Sequence, residues 1–162
     1  MLANNEAIEG TYMLVEADAP TASHNPEAGF SKSEGFPTRQ DGKTVNDRDY
    51  EKDKDAQAQV QLRAQNYNQK AIQDVPVVSA EGVVYSGNDR TMASQIAARQ
   101  GTDKAYTDYL AKNAQRYGFT QEQLDSMDHP RLVFVPKNAM PYTTETFSKF
   151  NRDEKKSQST LS

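Results

Sequence analysis

The 162-residue chain contains no cysteine. That absence removes disulfides, thiolate metal sites and cysteine nucleophiles together, and it suits a reducing compartment. Histidine is scarce, with only two in the chain, so a zinc site is not expected. No window approaches the 18 or so consecutive apolar residues of a membrane span, and the opening MLANNEAIEG lacks the basic-then-apolar pattern of a secretory signal. A soluble, cytoplasmic protein with no membrane partner is the expectation. A long basic block is also missing, and the formal net charge is -4. Broad electrostatic adhesion to DNA is therefore not the default, although net charge leaves a local basic groove open.

What is present is a modest apolar inventory. Hydrophobic residues make up 35% of the chain, charged residues 26%, so part of the chain is expected to lie outside the core. The apolar residues gather in 11–15, 60–98, 105–119 and 131–135. That pattern fits one α+β domain over 11–136, with a long loop over 18–48 that is dense in Pro, Gly, Ser, Asn and Asp. Residues 1–10 form an N-terminal extension and 137–162 a C-terminal extension or linker, in which Phe147 and Phe150 are placed to dock a last helical turn.

Within the domain, 11–16 reads as a strand. From about residue 49 a helix pattern follows, with Ala56, Val60, Ala64, Tyr67 and Ala71 on one face and a glutamine-rich opposite face. Residues 75–79 and 83–86 make a β-hairpin around Ala80, Glu81 and Gly82. A helix over 89–100 stops at Gly101, and another over 103–117 starts behind Thr102 as N-cap. Thr120 to Gln123 fits a capping box, and 131–135 (RLVFV) is the last strand. The whole predicts a small mixed sheet with a hairpin and packed helices.

Chemistry concentrates at Tyr85-Ser86-Gly87-Asn88-Asp89-Arg90-Thr91, where a strand turns into a helix. Gly87 permits a sharp turn and close approach of a ligand to the backbone. N–H groups at the helix start would face an anion, and Arg90 could grip a phosphate through two parallel hydrogen bonds. An equally complete account makes Gly87 a turn, Asn88 or Asp89 a cap and Arg90 a solvated surface cation. Asp89 counts against the anion, since its own carboxylate could fill the site.

The string VPVVSAEGVVYSGNDRTMASQ resembles the core of the ParB/sulfiredoxin superfamily. It looks closest to the DdrB-like ParB branch of phage and mobile-element proteins, which favours Ser-Gly-Asn-x-Arg; Ser86-Gly87-Asn88-Asp89-Arg90 matches that form. Pro76-Val77-Val78 supplies the proline-plus-hydrophobic strand and Ala93 the alanine of the ParB pattern Gly-Glu-Arg-Arg-x-x-Ala. Asn88 stands where that pattern has Glu, and Asp89 replaces its first arginine, which removes a positive charge.

The resemblance implies a nucleotide-binding domain with the sulfiredoxin fold. The ligand would be a nucleoside triphosphate, CTP as in ParB relatives or ATP as in sulfiredoxin, with Mg²⁺. The implied contacts are Ser86, Gly87, Asn88, Asp89, Arg90 and Thr91, with His24 and Tyr85 as further candidates near the cleft. Sulfiredoxin chemistry itself is excluded by the missing cysteine. Coupling to DNA, a homodimer, or other domains of a larger protein are the partners the resemblance suggests.

No catalytic base can be named, so hydrolysis stays open. Two other readings stand beside nucleotide binding. One is a metal-dependent nuclease using carboxylates such as Asp47, Asp49 and Glu51. The other is a docking module whose nucleotide pocket has degenerated. Arg39, Arg63 and His129 read as surface or structural groups.

Overall fold

The computed structural model describes residues 8–46, 48–68 and 70–153, with side chains through Phe150. β1 (Gly10–Glu16) leads through a short hairpin, β2 (His24–Asn25) and β3 (Ser31–Lys32), to α1 (Lys54–Gln65) and the one-turn α2 (Lys70–Gln73). β4 (Val77–Val78) and β5 (Val84–Ser86) precede α3 (Asn88–Gln100), α4 (Lys104–Asn113) and α5 (Gln121–Asp125). β6 (Pro130–Pro136) and α6 (Thr144–Asp153) complete the domain. This is the α+β architecture expected.

Four strands make one mixed sheet in the order β1-β6-β4-β5. β6 runs antiparallel to β1, with Tyr12 opposite Phe134 and Leu14 opposite Leu132, and parallel to β4 at Val77 opposite Phe134. A strand covered on both faces reads as an unbroken apolar run, which is why RLVFV lacks polar alternation. Leu132 and Phe134 face a core built with Val60, Ala64, Met92, Ala97, Tyr106 and Leu110, whereas Val133 joins Val78 and Val84 on the other side.

The helix expected from about residue 49 begins at Lys54. Residues 49–53 instead close a turn on the Asp49 carbonyl, and Asp53 caps the helix by accepting from the Ala56 N–H at 3.0 Å. It does not run on through Ala71, because Asn66 takes φ -143° and ψ 67°. Asn68 then accepts from the Lys70 N–H at 3.0 Å and starts α2 afresh. The break frees Tyr67 to pack against Tyr106, ring centres 5.0 Å apart.

Thr102 is not the cap of α4. Its hydroxyl donates to the Ala64 carbonyl at 2.6 Å, satisfying a terminal group of α1, and Asp103 occupies the N-cap position. Residues 114–117 continue α4 as a 3-10 turn, and Thr120 with Gln123 forms the capping box read from sequence.

Residues 18–46 are irregular apart from β2, β3 and a 3-10 turn at Pro26–Ala28, but they are built into the structure. Phe30, Phe36 and Val45 are buried, and the Thr21 N–H and carbonyl bond Gly82 and Val84 at the sheet edge. Phe36 and Val45 meet Val77, Tyr85, Phe147 and Phe150 in a second apolar cluster, so α6 seals the far face of the hairpin.

Arg131 is the buried charge at the centre of the fold. Its Nη2 donates to Asp103 Oδ2 at 2.7 Å and to the Ser94 carbonyl at 3.1 Å, its Nη1 to the Pro130 carbonyl at 3.1 Å, and its Nε to Ser94 Oγ. The guanidinium also lies over the rings of Tyr67 and Tyr106 at 5.3 and 5.0 Å. Burial would raise the Asp103 carboxyl, but hydrogen bonds from Arg131 and His129 outweigh it and hold the group below its ordinary value of 3.8.

Two expectations follow. Phe147 is 1% exposed, so Phe147→Ala should lower unfolding free energy by about 3–5 kcal/mol in urea titrations. Because the Asp103 carboxyl is depressed in the folded state, its contribution is complete above about pH 4 and is lost as pH falls through the lowered folded value. Urea unfolding at stepped pH should show that loss, and Asp103→Asn should flatten it while destabilising the protein at pH 7.

Candidate functional site

β5 ends at Ser86, and Gly87 turns the chain with φ 89° and ψ 32°, a left-handed conformation that favours glycine. A Cβ at Gly87 would stand 3.0 Å from Arg90 Nη2 and 3.1 Å from Pro76 Cα. The close approach that glycine permits here is therefore made first by the protein's own guanidinium. No side chain caps α3. Asn88 acts as a staple instead: its Oδ1 accepts from the Ser23 N–H at 2.8 Å and its Nδ2 donates to the Val84 carbonyl at 3.3 Å.

Arg90 is not a solvated surface cation, since it is only 6% exposed. Its Nη1 sits 2.6 Å from Asp74 Oδ2 and 3.8 Å from Asp89 Oδ1. Its Nε and Nη2 are buried with no hydrogen-bond partner among the described residues, and neither has Thr91 Oγ1. Buried polar groups are otherwise nearly always paired, so each such orphan calls for an explanation. The Asp89 carboxylate lies between two arginines, its Oδ2 holding Arg63 Nη1 at 3.0 Å and its Oδ1 3.8 Å from Arg90 Nη1.

These groups surround a cavity of about 360 Å³ between the end of α1, α2 and the start of α3, with Leu62, Arg63, Tyr67, Lys70, Asp74 and Arg90 in its wall. Three cations and one carboxylate line it, with the Asp89 carboxylate at Arg63. Burial pushes the Asp74 carboxyl up, Arg90 pulls it down, and the neighbouring Asp89 pushes it up again; the net direction is upward. A carboxylate held this way is a comparatively reluctant anion.

Of the six residues expected to contact a nucleotide, Arg90 alone lines this cavity; Asp89 reaches it through Arg63. Ser86, Gly87, Asn88 and Thr91 are buried behind it. Tyr85 is turned elsewhere: its hydroxyl donates to the Met140 carbonyl at 2.7 Å, and its ring packs with Tyr142, Phe147 and Phe150. His24 is buried, with Nδ1 2.8 Å from Ser23 Oγ and Nε2 3.7 Å from Asp49 Oδ1. Burial lowers its pKa against the pull of Asp49. It joins the site only through Ser23, which binds Asn88.

Arg63, read from sequence as a surface charge, is part of the wall, while Arg39 pairs locally with Asp41 at 2.7 Å. Lys70 and Asp74 carried no sequence signal beyond being charges beside an apolar strand. Among the described residues, no group of three or more His, Cys, Asp or Glu could hold a metal ion. Asp47 lies outside the described residues, and Asp49 Oδ1 accepts from the Glu51 N–H at 3.1 Å. No helix among the described residues is long and apolar enough to cross a membrane.

Comparison with known proteins adds one finding. The family model of the ddrB-like ParB superfamily domain matches residues 3–137. The match covers the sheet and the cavity and stops before α6. No curated protein matches, and no solved structure matches.

Gly87→Ala should destabilise the fold by roughly 1–3 kcal/mol, because alanine is strained at this φ and its methyl group meets Arg90 and Pro76. Chemical denaturation would measure it. A variant as stable as the wild type would show that the turn relaxes freely.

Proposed function

Because the chain belongs to the ddrB-like ParB superfamily, we propose that it binds a nucleotide, with a phosphate group held in the cavity at Arg90. The carrying observation is the buried guanidinium with two nitrogens that have no partner among the described residues. Leaving such donors unmade costs about 1–3 kcal/mol each, and phosphate oxygens are the acceptors whose geometry and charge suit a guanidinium best. Arg63 and Lys70 in the same wall add charge around an incoming anion. Leu62, 60% exposed at this cavity, offers an apolar surface beside it for the rest of the ligand.

Within this reading the ligand is a nucleoside triphosphate, CTP or ATP, with Mg²⁺ carried on its phosphates. The protein holds and orients it. The cavity is shared by α1, α2 and α3, so occupancy bears on how three elements pack. That gives a physical route to the DNA coupling, dimerisation or larger assembly that the family resemblance suggests.

One observation favours a second reading. Each arginine at the site already has a carboxylate, Asp74 on Arg90 and Asp89 on Arg63. A cavity whose two arginines are paired from within suits a docking module whose pocket no longer takes a ligand.

Thermal melting with CTP, ATP, GTP and UTP, each with Mg²⁺, separates the two. Ligand at 100 times its Kd stabilises the native state by about 2.7 kcal/mol. A shift of several degrees with one nucleotide is expected, with affinity reduced about 10–100-fold in Arg90→Gln. No shift with any nucleotide would favour the docking module.

A further inference from the structure

The contact that the cavity offers to an anion is already made. Asp74 and Arg90 line the same space, and Asp74 Oδ2 lies 2.6 Å from Arg90 Nη1. The opposite edge of the guanidinium, Nε with Nη2, is shut away from solvent beside Gly87 and Pro76. An incoming anion that is to pair with Arg90 therefore competes with the Asp74 carboxylate. Asp74 itself is 37% exposed on its side chain, so it has water to turn into when displaced.

Resting on the nucleotide reading, we propose that Asp74 is the specificity determinant of this site. As a tethered internal anion, it admits a terminal, dianionic phosphate at Arg90 and turns away the monoanionic phosphodiester of a nucleic-acid backbone.

Asp74 is one negative charge held next to Arg90 by the chain itself, at high effective concentration. A phosphodiester brings one negative charge from solution and gains nothing over the resident carboxylate. It also meets the displaced Asp74 and the nearby Asp89 in a space whose positive groups are Arg63, Lys70 and Arg90. A terminal phosphate brings nearly two charges at neutral pH and three acceptor oxygens. Coulomb energy scales with the product of charges, so attraction to the three cations and repulsion from the two carboxylates both double, and the excess of cations makes the second charge a net gain for the ligand. The orphaned Nε and Nη2 add to this: a guanidinium freed from Asp74 can present its paired edge to those oxygens.

Calorimetric titration of the nucleoside triphosphates, and of γ-methyl esters in which the terminal phosphate keeps a single charge, tests this on wild type, Asp74→Asn and Asp74→Glu. The wild-type comparison needs no variant. It should favour the free terminal phosphate at least about tenfold over its ester. Asp74→Asn should bind the ester at least about tenfold more tightly, so that the preference collapses, while Asp74→Glu should retain the preference and show that the fold tolerates change there. Equal wild-type affinity for phosphate and ester, or a preference unchanged in Asp74→Asn, would overturn the role of Asp74 and leave nucleotide binding standing. Binding of no nucleotide to wild type or to either variant would overturn the nucleotide reading and this inference together.

Discussion

A guanidinium taken out of water must have its N–H groups met, and that requirement organises this domain. Arg131 has a partner at each of its three nitrogens. From the central strand β6 it gathers Ser94 of α3, Asp103 at the head of α4 and the Pro130 carbonyl, and it is faced by the rings of Tyr67 and Tyr106. Tyr106 is fixed in turn by accepting from the Leu132 N–H at 2.8 Å. One buried side chain thus sets the positions of the strand, two helices and the linker after α1. Removing it would leave the Asp103 carboxylate buried with only His129 beside it, which is why such a cluster is all or nothing.

Arg90, on α3, is the counter-example. It sits one turn before Ser94, so the network around Arg131 anchors α3 just beyond it. Asn88 anchors the helix just before it, through Ser23 and Val84. Arg90 is therefore held on a stiff, doubly tethered segment while its own nitrogens are left short of partners. A side chain that merely failed to find partners would be expected on a yielding element, where the backbone could shift to water or to a carbonyl.

How much of this was legible in the sequence follows from distance along the chain. The hairpin, the glycine turn, α3 with its Gly101 stop and the RLVFV strand rest on neighbouring residues and could be read directly. The identity of the turn could be read too, because Ser86 to Arg90 are contiguous. What Arg90 would do there could not, because Asp74 lies beyond the hairpin and Arg63 on another helix. Tyr85 shows the same limit: its place just before the glycine suggested a ligand, but strand alternation turns it to the face that α6 covers. Residues 18–48 looked like plain loop because Phe30, Phe36 and Val45 are too irregularly spaced to give any period.

The aspartate at 89 illustrates how substitution inside a motif is answered elsewhere. Where the ParB pattern carries its first arginine, this chain has a carboxylate, and taken alone that exchange costs the site a cation. Its consequence in three dimensions is different. Asp89 Oδ2 draws Arg63 Nη1 to 3.0 Å, and so sets a guanidinium from α1 in the cavity wall opposite α2. The pair is neutral, so Arg63 answers the carboxylate without restoring the missing cation, and its place in the wall depends on that of α1. The site's electrostatics then depend on α1 and α3 staying packed, and α1 is fastened at its end by the Thr102 hydroxyl on the Ala64 carbonyl. Anything that loosens that contact would withdraw Arg63 from the cavity without touching the turn itself.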